Sequence, residues 1–181
     1  MLLNLSTEEM LGVWKLKRYF EPLRSDCELT RTDGVDFDRL QMMEMREWYL
    51  NLLDNGDLSL LEVSDIARDV ALKHMSDGSA TITLPAECRR VVEVKLDGWQ
   101  RAAIMAGPDS PIAALQRSPY SRGRSEEPVA VVHQGYLHIY TPSSTDSRIS
   151  SLKCVAEPAD GSYRFDERAL ATIPADIIQT N

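Results

Sequence analysis

The chain lacks most of what would announce a function. Its 181 residues include only three cysteines, Cys27, Cys88 and Cys154, widely spaced and without a CxxC pair. That spacing excludes a disulfide framework of the secreted type and fits free thiols in a reducing compartment. No apolar run approaches the roughly 18 residues that a membrane span requires, so no membrane partner is expected. The start, MLLNLSTEEM, has too short an apolar run and too early an acidic pair for a signal peptide, and assembly in the cytosol is expected. Walker, GxGxxG, HExxH, GxSxG and EF-hand patterns are all missing, as are repeats, low-complexity tracts and flexible linkers. Basic charge is sparse too: the net charge is −8 and the twenty Lys and Arg are scattered, unlike the concentrated basic face of a nucleic-acid binder.

What is present is ordinary globular material, 43% hydrophobic and 27% charged. A chain of this length suits one domain, or one domain with a helical appendage, and can bury roughly 70% of its unfolded surface without staples. The first third reads as helical. Ser6 and Glu9 make a capping box, with Met10, Val13, Leu16 and Phe20 at helical spacing and Lys15, Lys17 and Arg18 toward the C-terminal end. Pro22 stops that helix, and residues 21–34 form a polar connecting loop. Asp36 caps a second helix running to about Asp54 and closed by Asn55-Gly56. Met42, Met45, Tyr49, Leu52 and Leu53 share one face of it, opposite Glu44, Glu47 and Asn51, while Leu40, Met43, Trp48 and Leu50 lie on the flanks. So much apolar surface suits either a helix sandwiched in a core or one packed against another chain.

From Leu58 to Arg68 a short extended piece and then a helical turn near Ser64 are expected. Beyond it the period changes to two. The segments VALKHM and ATITL flank Ser76-Asp77-Gly78-Ser79 as a hairpin, with a helix ending at Gly78 as the alternative for the first arm. In Arg89–Leu96, Val92, Val94 and Leu96 alternate inward; Asp97-Gly98 turns the chain; and Trp99 is placed to cover the open end of the sheet. Ser110-Pro111 starts a short helix through about Gln116. A second hairpin, VAVVH and YLHIY around Gln134-Gly135, sets Ala130, Val132, Leu137 and Ile139 inward and His133, Tyr136, His138 and Tyr140 outward. SLKCVAE is read as the last strand, and a short helix from Ile173-Pro174 closes the chain. The fold class is α+β: N-terminal helices packed on a mainly antiparallel β-sheet with short helical insertions. The helical region covers 1–68 and the β-rich region 69–181, together forming one compact unit.

Candidate chemistry is thin. Cys88 stands beside Arg89 and Arg90, which would lower its pKa, but no base partner is evident. His133 and His138 lack a third metal ligand. Asp33, Asp36 and Asp38 lack the Glu that a calcium loop needs at its twelfth position and suit capping instead. In SPYSRGRSEEP, Arg122 and Arg124 either contact an anion or nucleic acid, or sit in a solvated loop with Glu126 and Glu127 as counter-charges. No cofactor, no metal and no enzymatic activity are expected.

One ordered set of features carries further. TITLPAECRRVVEVKLDGWQR, then SPIAALQRSPYSRGRSEEPVAVV, LHIYTPSS and LKCVAEP, together resemble head–tail adaptor proteins of tailed phages, the tail-tubular or ring proteins of short-tailed phages and of related gut phages and prophages. The resemblance covers mainly residues 80–157. It implies an α+β virion subunit that closes into a ring beneath the portal, around the DNA exit channel, by docking to portal and tail proteins. It also implies a subunit that is monomeric when isolated, close to DNA in the particle, and destined for the virion after cytoplasmic assembly. Ring closure needs two unlike patches per subunit. Candidates are Met42, Met45, Trp48 and Tyr49 on the second helix, Tyr136 and Tyr140 on the sheet, and Arg117, Arg122 and Arg124 in the loop. The alternative is a bacterial protein-binding module that uses the aromatic sheet face or the arginine loop.

Overall fold

The computed structural model describes residues 1–18, 36–118, 120–122, 124, 126–141 and 147–174. Phe20, Pro22, Cys27, Asp33 and the expected loop over 21–34 lie outside these residues, as does the chain beyond Pro174, where the closing helix was expected. The fold is α+β. It divides into two compact units, Val63–Ala156 on one hand, and Met1–Glu62 with the chain from Glu157 onward on the other. The change of character at residue 68 thus becomes a boundary at 62/63, and the C-terminal segment belongs with the helices.

The helical unit begins with a strand, β1 (Leu2–Leu5), and helix α1 (Thr7–Arg18). The capping box forms as its residues dictate: Ser6 N donates to Glu9 Oε2 at 2.8 Å and Glu9 N to Ser6 Oγ at 3.3 Å. Met10 and Trp14, one turn apart, are the buried pair; Leu16 points to solvent, so the inward face is rotated from the Met10, Val13, Leu16 stripe. Helix α2 (Phe37–Asn55) starts on Asp36, whose carboxylate accepts from the N–H groups of Asp38 and Arg39. Gly56 ends it by close approach, not by a left-handed turn: its φ is −65°, and a Cβ there would lie 2.4 Å from the Leu52 carbonyl oxygen. A 3-10 turn (Leu58–Leu60) follows, so the helical turn precedes the extended piece at Ser64, the reverse of the expected order.

The C-terminal segment supplies β10 (Tyr163–Asp166), which pairs antiparallel with β1, Leu3 opposite Phe165. SLKCVAE is therefore not the last strand. Tyr163 and Phe165 alternate inward and meet α2: Tyr49 lies 4.8 Å from Tyr163, and Trp48 stands edge-on to Phe165 at 5.5 Å. The helices of this unit thus rest on their own two-stranded sheet. Within the helix pair Trp14 Nε1 donates to Gln41 Oε1 at 2.9 Å, with both side chains buried. This explains why Gln41, and not Met42, faces inward beside Met45, Tyr49, Leu52 and Leu53. A buried indole N–H without an acceptor costs about 1–3 kcal/mol, and the Gln41 amide oxygen on the second helix removes that cost.

The second unit has two sheets. One runs β2 (Ser64–Asp65), β9 (Ile149–Ala156), β5 (Cys88–Leu96); the other runs β3 (Leu72–His74), β4 (Ala80–Thr83), β8 (Tyr136–Ile139), β7 (Val129–His133), β6 (Ile104–Ala106). Among the described residues all of this unit's pairings are antiparallel except β6 with β7. The first hairpin forms as a strand pair, Leu72 opposite Ile82, which rules out the helix alternative. The second has the expected register, Val132 opposite Leu137 and His133 opposite Tyr136. Strand β5 departs from strict alternation. A register shift between Val91 and Glu93 leaves Val92 unpaired, so Val91, Val94 and Leu96 are the inward residues and Val92 is not. Gly98, at φ 83°, turns the chain after Leu96. Trp99 then folds onto the core of Ile82, Val94, Leu137, Ile139 and Leu152, and its Nε1 donates to the Thr141 carbonyl at 3.2 Å. Helix α3 (Pro111–Gln116), capped by Ser110, buries Ala113 and Gln116.

Candidate interaction surfaces

The four α2 residues expected at an interface separate into two sets. Met45 and Tyr49 are fully buried in their own unit, where Tyr49 Oη accepts from Arg164 N at 3.1 Å; neither can face a partner. Trp48 is half-buried, with its ring against Trp14 and Phe165 and its Nε1 donating to Thr172 Oγ1 at 3.1 Å. Met42 remains on the surface, and Met43, read as a flank, is 63% exposed. With Leu40, Leu50 and Tyr163 these two methionines line an open groove of about 920 Å³ along the outer side of α2. Ion pairs fix its borders: Arg46 with Glu157 and Arg18 with Glu44. The Arg46 guanidinium is part-buried; desolvation opposes its charge, but its bonds to Glu157 and Tyr163 prevail and its pKa rises.

The arginine loop is partly committed to its own fold. Arg122 donates to the Gln116 carbonyl at 3.2 Å, to the Asp77 carbonyl at 3.1 Å and to Asp77 Oδ2 at 3.2 Å, and its guanidinium lies 5.9 Å from the Tyr140 ring. It ties the loop to the tip of the first hairpin. Its counter-charge is Asp77, not Glu126 or Glu127; Glu127 pairs with Arg101 at 2.6 Å. Arg117, which reaches the Pro108 carbonyl at 3.4 Å, and Arg124 are exposed. Tyr140 is half-buried under Arg122, while Tyr136 is 47% exposed at the start of β8.

Sequence reasoning passed over a second apolar surface. Ile112 and Leu115 point outward from α3, opposite the buried Ala113 and Gln116, and Ile104 and Tyr120 are exposed in the same unit. Ile104 and Ile112 line one groove with Arg122 and Arg124. The signal lay in SPIAALQ, where both bulky residues occupy one side of a two-turn helix.

Among the described residues no three His, Cys, Asp or Glu side chains converge as metal ligands. His133 and His138 occupy different rungs of the β7–β8 ladder, and His138 has a lowered pKa, from burial first and from His133 second. Cys88 reverses its expectation. Its thiol is pushed up, not lowered, because it hydrogen-bonds to Cys154 and is partly buried; the flanking arginines do not decide it. No helix among the described residues is long and apolar enough to cross a membrane.

No family model, curated protein or solved structure matches the chain.

Proposed function

We propose that this chain is a structural subunit of a tailed-phage virion, a head–tail connector that acts without catalysis, by self-association and by docking to portal and tail proteins. The observation that carries the reading is the outer side of α2. A helix that already buries Met45, Tyr49, Leu52 and Leu53 also presents Met42 and Met43 to solvent beside Leu40 and Leu50. A helix apolar on both sides is a helix with a second partner. The neighbouring copy is that partner in this reading. A ring needs two unlike patches, and the α3 surface of Ile112, Leu115 and Tyr120 is unlike the methionine groove in shape and in residue type. The ordered resemblance over residues 80–157 supports the head–tail junction as the place of that ring.

The arginine loop contributes less to this reading than the α2 groove. Arg122 is occupied by Asp77 and Tyr140, which leaves Arg117 and Arg124 as the groups available to an acidic neighbour or to DNA. The test is the mass of the protein in solution by light scattering, alone and mixed with the portal protein encoded in the same genome. A multi-copy complex on the portal supports the reading. A strict monomer that leaves the portal unbound sinks it, and would favour the protein-binding module.

A further inference from the structure

Cys88 and Cys154 are 66 positions apart in the chain, yet strands β5 and β9 bring them together. The β5–β9 ladder pairs Cys88 with Ala156 and Val91 with Cys154, with a register shift between Cys88 and Arg90. In a regular strand, residues three apart point to opposite faces. The extra residue in β5 changes that parity, so Cys88 and Val91 both lie on the face of the ladder that carries Cys154. The two thiols are then diagonal neighbours across the strands, the relationship in which cross-strand side chains still touch. The two thiols influence each other's ionisation across this diagonal.

Access differs between them. Cys154 is 1% exposed, with Ser64 Oγ at 3.9 Å from its sulfur, whereas Cys88 is half-buried and reachable from solvent. The hydrogen bond from Cys88 holds the Cys154 thiol below its ordinary range, at about 7, despite burial; the same bond pushes Cys88 up. Two thiols on one face of adjacent strands, one of them reachable from solvent, form the arrangement of a dithiol that oxidises internally.

We propose that Cys88 and Cys154 are a redox site: a peroxide converts them to an intrachain disulfide that fastens β5 to β9. The reaction starts from the Cys88 thiolate, its proton given up to solvent. The Cys88 sulfur attacks a peroxide oxygen; an S–O bond forms, the O–O bond breaks and hydroxide leaves. That hydroxide takes the proton from Cys154 and becomes water. The Cys154 thiolate then attacks the Cys88 sulfur; the S–S bond forms, the S–O bond breaks and a second hydroxide leaves. Two electrons pass from the sulfurs to the peroxide, and the two products besides the disulfide are water and hydroxide. Closing the bond draws the sulfurs to about 2.05 Å, a movement that falls to the half-exposed Cys88 side chain. The crosslink closes a long loop and raises stability chiefly by restricting the unfolded chain. The unit around β5 and β9 would thus hold more firmly under oxidising conditions than in a reducing cell.

The experiment uses the full chain with Cys27→Ser, which leaves only this pair. The protein is treated with a small molar excess of hydrogen peroxide, denatured, alkylated and analysed by intact mass and by non-reducing peptide mapping. The expected result is loss of both alkylatable thiols, a mass lower by two hydrogens, a linked Cys88–Cys154 peptide, and a higher thermal midpoint that returns on reduction. With Cys88→Ser added, the midpoint should not move with peroxide and Cys154 should stay reduced while the protein is folded. Cys154→Ala serves the same purpose should that serine variant misfold. Stepwise oxygen addition to Cys88 without a linked peptide, or disulfide-linked dimers in place of the intrachain bond, would overturn the proposal.

Discussion

Replacing Trp99 tests whether this residue is an internal support or a binding residue. Trp99 is 4% exposed, packed on the core of its unit, and its Nε1 donates to the Thr141 carbonyl at 3.2 Å. Trp99→Ala removes the whole indole from a site bordered by Leu96, Ala103 and the strands around them, a loss that typically costs about 3–5 kcal/mol. For a unit the size of Val63–Ala156, that corresponds to a fall in thermal midpoint of roughly 12–40 °C. Trp99→Phe keeps most of the ring but leaves the Thr141 carbonyl without its donor, for a smaller loss of about 1–2 kcal/mol. The assay is urea unfolding followed by far-ultraviolet circular dichroism, with the slope checked for a change in surface exposed. The order must be wild type, then Phe, then Ala. A Trp99→Ala variant within about 0.5 kcal/mol of wild type would refute the supporting role and favour a binding role for Trp99.

Other perturbations separate surface from core in the helical unit. Met43→Glu, at a site 63% exposed, should shift unfolding by no more than about 0.5 kcal/mol while weakening assembly at least about tenfold, read by sedimentation. Gln41→Ala leaves the buried Trp14 N–H without an acceptor and should cost about 1–3 kcal/mol in urea unfolding. A double-mutant cycle with Trp14→Phe should recover part of that cost. Acid sensitivity has a predicted window as well. Hydrogen bonds from Ser162, and then Arg164, hold the Asp160 carboxyl at about 2, below its reference 3.8. A depressed folded pKa contributes stability above the unfolded value, and that contribution fades as pH falls from about 4 toward 2. Asp160→Asn should flatten the thermal midpoint against pH over that window, modestly because the group is exposed; an unchanged profile would contradict the assignment.

Local signals were legible where the local sequence decides the structure. Asp36 and Gly56 bracket α2, Ser6 and Glu9 cap α1, and the Gln134-Gly135 turn sets the register of β7 on β8 down to His133 opposite Tyr136. What stayed hidden depends on partners far along the chain. Leu2–Leu5 and Tyr163–Asp166 are each four residues long, too short for periodicity to announce, and each becomes a strand only by pairing with the other. The inward turn of Gln41 follows from the needs of the Trp14 N–H, 27 positions earlier. The bulge in β5 moved the inward set from Val92 to Val91, because alternation assumes a regular ladder. For the candidate surfaces, the apolar excess of α2 was readable, but which methionines face out was not: Met45 is wholly buried and Met43 is open.

The central claim is that the outer side of α2 is an assembly surface of a head–tail ring subunit. Sedimentation of the chain with the portal of its own genome, comparing wild type with Met42→Glu/Met43→Glu, tests it most directly. The account predicts that several wild-type copies travel with the portal, while the folded double variant remains free. A wild-type chain that stays monomeric beside the portal, or a double variant that assembles as wild type does, would contradict it.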